Sequence, residues 1–190
     1  MLNYTYGTNG LKVDIPRIVN YIDKEIMKGD IAEAKLFNPD FIIANMHWGL
    51  EYERIPSREQ RELADWLMRQ GVDLVIGSHP HVVQPMELRR GKEGVPDRLV
   101  VYSLGNFISN MSREHTDGGV MVKVVLGRKG LRRYIASAQY SLIYSSRYKN
   151  EQGKEDIRVV PAASWSGKNQ NSSFSVDSAL IKYVNNTRLF

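Results

Sequence analysis

The segment of residues 40–77 constrains the fold most, because two apolar runs in it flank a clearly signalled helix. Residues 40–46 and 72–77 have the length and composition of strands that are buried on both faces. Between them, Ser57 and Gln60 have the spacing of a capping box, and Gly71 stands where a helix would end. The order strand, helix, strand predicts a right-handed βαβ unit with two parallel strands.

The rest of the chain adds helices and antiparallel strands to this unit. Branched apolar residues at helical spacing predict a helix over residues 16–28, and a second short helix is expected after Asp30. Residues 99–103 are predicted as a strand, and residues 120–126 and 131–140 as a hairpin. The polar residues 145–155 and 164–173 are predicted as loops, and residues 177–189 as a last helix. The predicted fold is α/β, a single domain over residues 1–190 with a mixed sheet.

Composition limits the classes of function. The 190 residues are 42% apolar, which is enough for one buried core, and they include no cysteine, which excludes disulfides and thiol chemistry. No apolar run approaches the roughly 18 residues of a membrane span, so the chain is expected to be soluble. The net charge of +5 favours anionic partners. The basic residues are not interleaved with aromatic ones, so no nucleic-acid binding is expected.

Three of the four histidines follow the two strands of the βαβ unit. His47 comes directly after the first strand, and His79 and His81 come after the second. Because parallel strands lie about 5 Å apart and end at the same edge, these three imidazoles are expected to converge. Pro80 is expected to hold His79 in an extended geometry that sends both histidines of the pair to one side. The cluster predicts a divalent metal site, and the alternative is that each histidine only makes structural hydrogen bonds.

Three other residues near these strand ends are candidates for the site. Glu51, like Glu53, follows His47 closely and is a carboxylate that supports the metal ligands, a general acid or base, or a solvated charge. Trp48 either lines a substrate pocket or packs in the core. Asn106 follows Gly105 at a predicted strand end and either orients a ligand or makes a turn.

Four runs of sequence together are specific enough to indicate a family. They are residues 3–10, residues 46–52 with Met-His-Trp-Gly, residues 73–85 with Gly-Ser-His-Pro-His, and residues 102–107 with Tyr-Ser-Leu-Gly-Asn-Phe. In this order they resemble the C-terminal portion of the bacterial capsule synthesis CapA family, also called the poly-γ-glutamate capsule biosynthesis family. That family belongs to the calcineurin-like metallophosphoesterase superfamily.

The resemblance implies a site and a fold. A Gly-x-His-x-His motif supplies metal ligands in the superfamily, so His79 and His81 match ligand positions, and His47 matches a separate single histidine. The implied fold is the C-terminal half of an α-β-β-α sandwich. The family's N-terminal motifs, which bring further aspartate, asparagine and histidine ligands, have no match in this chain, so its N-terminal half is expected to be absent. Mn, Zn or Fe is then expected in the full-length protein, and weak metal binding or none in this chain.

Two functions follow from the resemblance. The first is a metal-dependent phosphoesterase-like hydrolase acting on an anionic envelope polymer or phosphoester, with His47, His79 and His81 as ligands, Glu51 and Asn106 as catalytic residues, and Trp48 at the substrate. The second is a non-catalytic envelope protein that binds or helps to export an acidic capsular polymer. Either implies an extracytoplasmic location for the full-length protein. This chain alone is expected to be inactive and to self-associate through the face left by the missing half.

Overall fold

A computed structural model describes residues 1–91 and 94–162 of the chain. Its elements are, in order, β1 (Leu2–Thr5), α1 (Lys24–Leu36), β2 (Ile43–His47), α2 (Arg58–Arg69), β3 (Leu74–Ser78), β4 (Met86–Arg90), β5 (Pro96–Val101), β6 (Gly118–Lys129), β7 (Arg132–Lys149) and β8 (Glu155–Pro161). Within these ranges, no helix is both long and apolar enough to cross a bilayer.

Five strands form a mixed sheet in the order β1-β2-β3-β5-β4, and β6, β7 and β8 form a second, antiparallel sheet. In the first sheet β1, β2, β3 and β5 run parallel to one another, and β4 is antiparallel to β5. The predicted βαβ unit is confirmed as β2-α2-β3, with Ile43 paired to Leu74 and His47 paired to Ser78. The α/β class is also confirmed, although β6, β7 and β8 form a sheet of their own instead of extending the mixed one.

The mixed sheet is the middle of three layers. On one face, Ala44, Met46 and Val75 pack with Met27 of α1 and Leu67 of α2 in one buried cluster. Residues that alternate with them along the strands point to the other face, where Leu74, Leu99 and Val101 pack against Ile135 of β7. Burial on both faces explains why the parallel strands are nearly continuous apolar runs.

Helix α2 is the helix that the sequence signals best. The Ser57 hydroxyl accepts a hydrogen bond from the Gln60 amide at 3.2 Å, and the Gln60 side chain accepts one from the Ser57 amide at 3.0 Å. This reciprocal capping box was predicted from the spacing of the two residues, and it is confirmed.

The predicted helix over residues 16–28 is wrong over residues 16–23 and confirmed over residues 24–28. The backbone of residues 20–22 is engaged with the end of β1, because the Thr5 amide donates to the Asn20 carbonyl and the Ile22 amide donates to the Thr5 carbonyl, both at 2.9 Å. The helix begins instead after Asp23, whose carboxylate caps the amides of Glu25 and Ile26. It runs to Leu36 and includes the region of the second short helix expected after Asp30.

The predicted loop over residues 145–155 is also wrong. Strand β7 continues to Lys149, and β8 begins at Glu155. Between them the Asn150 side chain accepts hydrogen bonds from the amides of Gln152 and Lys154, both at 3.0 Å, which closes a short turn. The loop predicted over residues 164–173 and the helix predicted over residues 177–189 lie outside the described residues.

Candidate functional site

Two neighbouring parallel strands deliver the histidines to one edge of the mixed sheet. His47 is the last residue of β2 and pairs with Ser78, the last residue of β3. Immediately beyond this pair, the Trp48 amide donates to the Ser78 carbonyl at 3.1 Å, so the two outgoing loops begin side by side. The loop after β2 carries Glu51, and the loop after β3 carries His79 and His81.

The structure brings the three predicted histidines together. The ring centroids of His47 and His79 are 4.7 Å apart, and those of His79 and His81 are 6.1 Å apart. Tyr6, just beyond β1, adds a fourth ring, whose centroid lies 5.7 Å from that of His47 and 4.3 Å from that of His79. The expected convergence is therefore found, whereas the role of these histidines as metal ligands stays a prediction.

Glu51 lies with two of these histidines. One carboxylate oxygen of Glu51 and one ring nitrogen each of His79 and His81 lie within 4.8 Å of one another. Glu51 Oε1 lies 3.9 Å from His81 Nε2. Two imidazoles and a carboxylate are a donor set that Zn, Mn or Fe accepts, so these residues fit a divalent transition metal. His47, in ring contact with His79, stands beside this set.

Asn106 fixes the orientation of the His81 ring. The Asn106 amide nitrogen donates to the Thr116 carbonyl at 2.8 Å, which directs its oxygen toward His81 Nδ1, 3.0 Å away. A carbonyl oxygen only accepts, so Nδ1 carries a proton, and in the neutral ring the lone pair is then on Nε2, the nitrogen that faces Glu51. An outer partner of this kind is typical of metal-binding histidines.

The backbone of the histidine pair differs from the prediction. His79 and His81 have φ values of +101° and +61°, in the left-handed region, so the expectation that Pro80 holds His79 in an extended geometry is wrong. Non-glycine residues in this region cost on the order of 1–3 kcal/mol each and concentrate at functional sites. The loop from Ser78 therefore turns sharply, and it is this turn that returns His81 toward Glu51.

Burial lowers the pKa values of two of the histidines. The pKa of His47 is lowered first by burial and then by the positive charge that His81 can carry. Burial also lowers the pKa of His79, and the neighbouring His47 lowers it further. Because only the neutral imidazole binds a metal, both shifts favour binding at neutral pH.

An aromatic residue and an arginine extend the cluster on its Glu51 side. The ring of Tyr52 stacks on that of His81 with centroids 5.9 Å apart, and the Arg113 guanidinium lies 3.9 Å above the Tyr52 ring. Tyr6, Tyr52 and Arg113 were not predicted from the sequence as residues of the site. Tyr6 and Tyr52 lie within runs that carry the family resemblance, which is the signal that could have identified them.

Trp48 lies in the core below the site. Its side chain is 2% exposed, its Nε1 donates to the Tyr102 carbonyl at 2.9 Å, and its ring stacks on Tyr102. Trp48 thus links β2 to the end of β5 through packing. Its predicted contact with a substrate stays a prediction, and the function proposed below does not depend on it.

A buried amide network supports the loop that carries Glu51. Gln60 Nε2 donates to Gln84 Oε1 at 2.9 Å, and Gln84 Nε2 donates to the Glu53 carbonyl at 2.8 Å. Both glutamines are at most 2% exposed, so these bonds are shielded from water and hold the loop backbone firmly. The network contacts Glu53 through its backbone carbonyl.

Comparisons with known proteins identify a family and two relatives of this chain. The family model of the bacterial capsule synthesis protein PGA_cap matches residues 2–111, which include all the site residues described above except Arg113 and Thr116. The PGA biosynthesis protein CapA of Bacillus subtilis is 35% identical over 112 residues, covering 59% of this chain and 28% of the relative. The capsule biosynthesis protein CapA of Bacillus anthracis is 35% identical over 107 residues, covering 56% of this chain and 24% of the relative.

The match therefore spans about a quarter of the length of these curated relatives. Within this chain, the family model covers more than half of the residues, including every strand of the mixed sheet. The chain belongs to the bacterial capsule synthesis protein PGA_cap family.

Proposed function

We propose that this chain supplies the histidine-bearing part of a metal-dependent, phosphoesterase-like hydrolase that acts in capsule biosynthesis. The observation that carries the proposal is the convergence of donor atoms from Glu51, His79 and His81 within 4.8 Å, at the carboxyl ends of parallel strands. In open α/β sheets this edge is where ligands bind. The capsule role is supported by the family and by the names of both relatives.

The proposed roles follow from chemistry and position. His47, His79 and His81 would hold a divalent metal, Mn, Zn or Fe, which supplies Lewis-acid stabilisation and activation of water when it is bound. Asn106 keeps His81 in the Nδ1-protonated form, so that Nε2 presents its lone pair to the site. Glu51, whose donor atom lies with those of His79 and His81, would either join them as a ligand or act as a general acid or base beside the metal.

The proposed substrate class is an anionic envelope polymer, such as poly-γ-glutamate, or a phosphoester. The net charge of +5 favours such partners through long-range attraction. Action on a capsule polymer also implies a location in the bacterial cell envelope, outside the cytoplasm, for the full-length protein. Self-association of this chain is part of the same proposal and is measured by sedimentation.

The test compares metal binding with hydrolysis. Phosphodiesterase activity with Mn²⁺ is measured on the 190-residue chain and, in parallel, on the full-length Bacillus subtilis relative. Binding of Mn²⁺ to the 190-residue chain is measured for His79→Asn, His81→Asn and His115→Asn. All three positions have positive φ, which asparagine tolerates, so His115→Asn is a control matched in backbone and chemistry.

We expect hydrolysis by the full-length relative, and weak Mn²⁺ binding by this chain that is lost in His79→Asn and His81→Asn but kept in His115→Asn. If the full-length relative shows neither bound metal nor turnover, the hydrolase is excluded. Binding of poly-γ-glutamate by that metal-free protein would then support the alternative function, a non-catalytic envelope protein that binds or helps to export an acidic polymer.

A further inference from the structure

A cavity of about 810 Å³ lies away from the histidines and is rich in arginine. Two aspartates, Asp65 and Asp97, also line it. The arginines that line it are Arg69, Arg89, Arg90, Arg98, Arg132 and Arg133, which are called the arginine pocket here.

Separate elements bring these arginines together. Arg89 of β4 and Arg98 of β5 are direct partners across an antiparallel pair. Like charges in such positions repel and destabilise the pair. Arg132 and Arg133 begin β7, and Arg69 ends α2. The fold therefore concentrates positive charge here at an energetic cost that a bound anion would offset.

Contacts within the chain compensate only part of this charge. Arg89 pairs with Asp65 at 2.6 Å and with Glu87 at 2.7 Å. Arg90, in contrast, donates to the Gly94 carbonyl, and Arg98 donates to the Met68 carbonyl. A backbone carbonyl fixes the direction of a guanidinium without neutralising it.

Arg133 is also held mainly through a backbone oxygen. Its Nη1 donates to the Asp40 carbonyl at 2.7 Å and lies 3.7 Å from the carboxylate of Asp73. The pocket thus contains oriented guanidinium groups in excess over carboxylates.

We propose that the arginine pocket binds a ligand with two or more oxyanion groups, carboxylates or phosphates. A guanidinium presents paired donors that match the two oxygens of such a group, and arginine rather than lysine is suited to that geometry. The pocket requires no metal, so it goes beyond the function proposed for the histidines and does not rest on it.

The pocket is separate from the histidine site. Arg98 directly precedes Leu99, which pairs with Leu74 at the start of β3, whereas the histidine pair follows Ser78 at the end of β3. Four residues of strand separate these two points, which is roughly 13 Å at the usual rise of a strand. The arginine pocket and the histidine site therefore lie at opposite ends of the strands of the mixed sheet.

Calorimetry with two probes tests the proposal and identifies the source of the oxyanions. Divalent metal is first removed from the 190-residue chain by passage over a chelating resin. Inorganic pyrophosphate and a glutamate pentamer are then titrated into the metal-free chain at low salt. Binding of pyrophosphate assigns a phosphate ligand, and binding of the pentamer assigns a polycarboxylate. The His81→Asn variant is expected to bind the probes as the wild type does. Loss of probe binding in this variant would place the probe at the histidines and overturn the proposal.

Paired variants separate the pocket from general charge attraction. The Arg69→Gln/Arg90→Gln pair removes two exposed pocket charges, and the Arg17→Gln/Lys123→Gln pair removes two exposed charges outside the pocket. We expect the pocket pair to weaken binding about tenfold and the control pair to change it less than about twofold. No binding of either probe at millimolar concentration, or equal weakening by both pairs, would overturn the proposal.

Discussion

Substitution of Gly77 by alanine should destabilise the edge of the sheet that carries the histidines. Gly77 lies in β3, one residue before Ser78, and it has no room for a side chain. A Cβ atom placed there would lie 1.9 Å from the Tyr102 carbonyl oxygen and 2.5 Å from Trp48 Nε1. The first contact is with backbone, so relief requires β3 to move away from the residue that follows β5.

The expected cost follows from these contacts. Overpacking of a tight core site costs about 1–3 kcal/mol. Movement of β3 would also distort the hydrogen bond from Trp48 Nε1 to the Tyr102 carbonyl and that from the Leu104 amide to the Gly77 carbonyl, each worth about 1 kcal/mol. We therefore expect Gly77→Ala to lower the free energy of unfolding by about 3 kcal/mol, or the Tm by about 6–12 °C.

Urea unfolding and thermal melts followed by circular dichroism measure this loss. The matched control is Gly29→Ala in α1, where an added Cβ meets nothing within 4 Å. Because alanine is the better helix former, this control should be more stable than the wild type by about 0.5–1 kcal/mol. A Gly77→Ala variant within about 1 kcal/mol of the wild type would refute the close contact of β3 with Tyr102.

Three further predictions concern titration and ligand orientation. Burial raises the pKa of Asp73, so its neutral form contributes stability that is present below the unfolded pKa of about 3.8 and is lost as pH rises through the native value. In urea unfolding, the free energy of unfolding of Asp73→Asn minus that of the wild type should therefore be larger at pH 7 than at pH 3. Burial lowers the pKa values of His47 and His79, so the stability that their neutral forms contribute is fully present above pH 6.5 and is lost as pH falls through the native pKa values. His47→Gln should therefore lose less stability than the wild type in thermal melts from pH 8 to pH 5. Asn106→Ala should weaken Mn²⁺ binding about 10–100-fold in calorimetry by releasing the His81 ring, whereas Asn110→Ala should leave it unchanged.

Local signals in the sequence predicted the part of the fold that positions the histidines. The capping box of α2 and the apolar runs beside it encode the βαβ unit without help from distant residues. Parallel strands then bring residues that follow them to one edge, which is why the grouping of the histidines could be predicted from their positions alone.

The failures came from contacts between residues distant in sequence. The isoleucines before α1 have helical spacing, but Thr5 engages the backbone of residues 20–22 and keeps it extended. Strand β4 was not predicted, because its residues Met86–Arg90 alternate weakly and become a strand by pairing with β5. Propensity is a weak guide where such tertiary pairing decides the conformation.

The site was incomplete for the same reason. Nothing near His81 in sequence indicates that Asn106 would bond to its ring, since 25 residues separate them. The left-handed conformations of His79 and His81 also depend on the surrounding structure, because isolated non-glycine residues avoid them. The positions of single residues therefore indicated the histidines, Glu51 and Asn106, but neither the aromatic residues and arginine around them nor the geometry of the loop that holds the histidine pair.

The most direct test of the metal site is a long-range ¹H–¹⁵N NMR spectrum of the four histidine rings during titration with Mn²⁺ at neutral pH. Paramagnetic broadening detects even weak binding, and the His79→Asn variant serves as the control. We predict that His81 is protonated on Nδ1 before metal is added, and that low concentrations of Mn²⁺ broaden the rings of His47, His79 and His81 in the wild type but leave the remaining rings of His79→Asn sharp. Equal broadening in the two proteins, or an Nε2-protonated His81 in the metal-free spectrum, would contradict the proposed metal site.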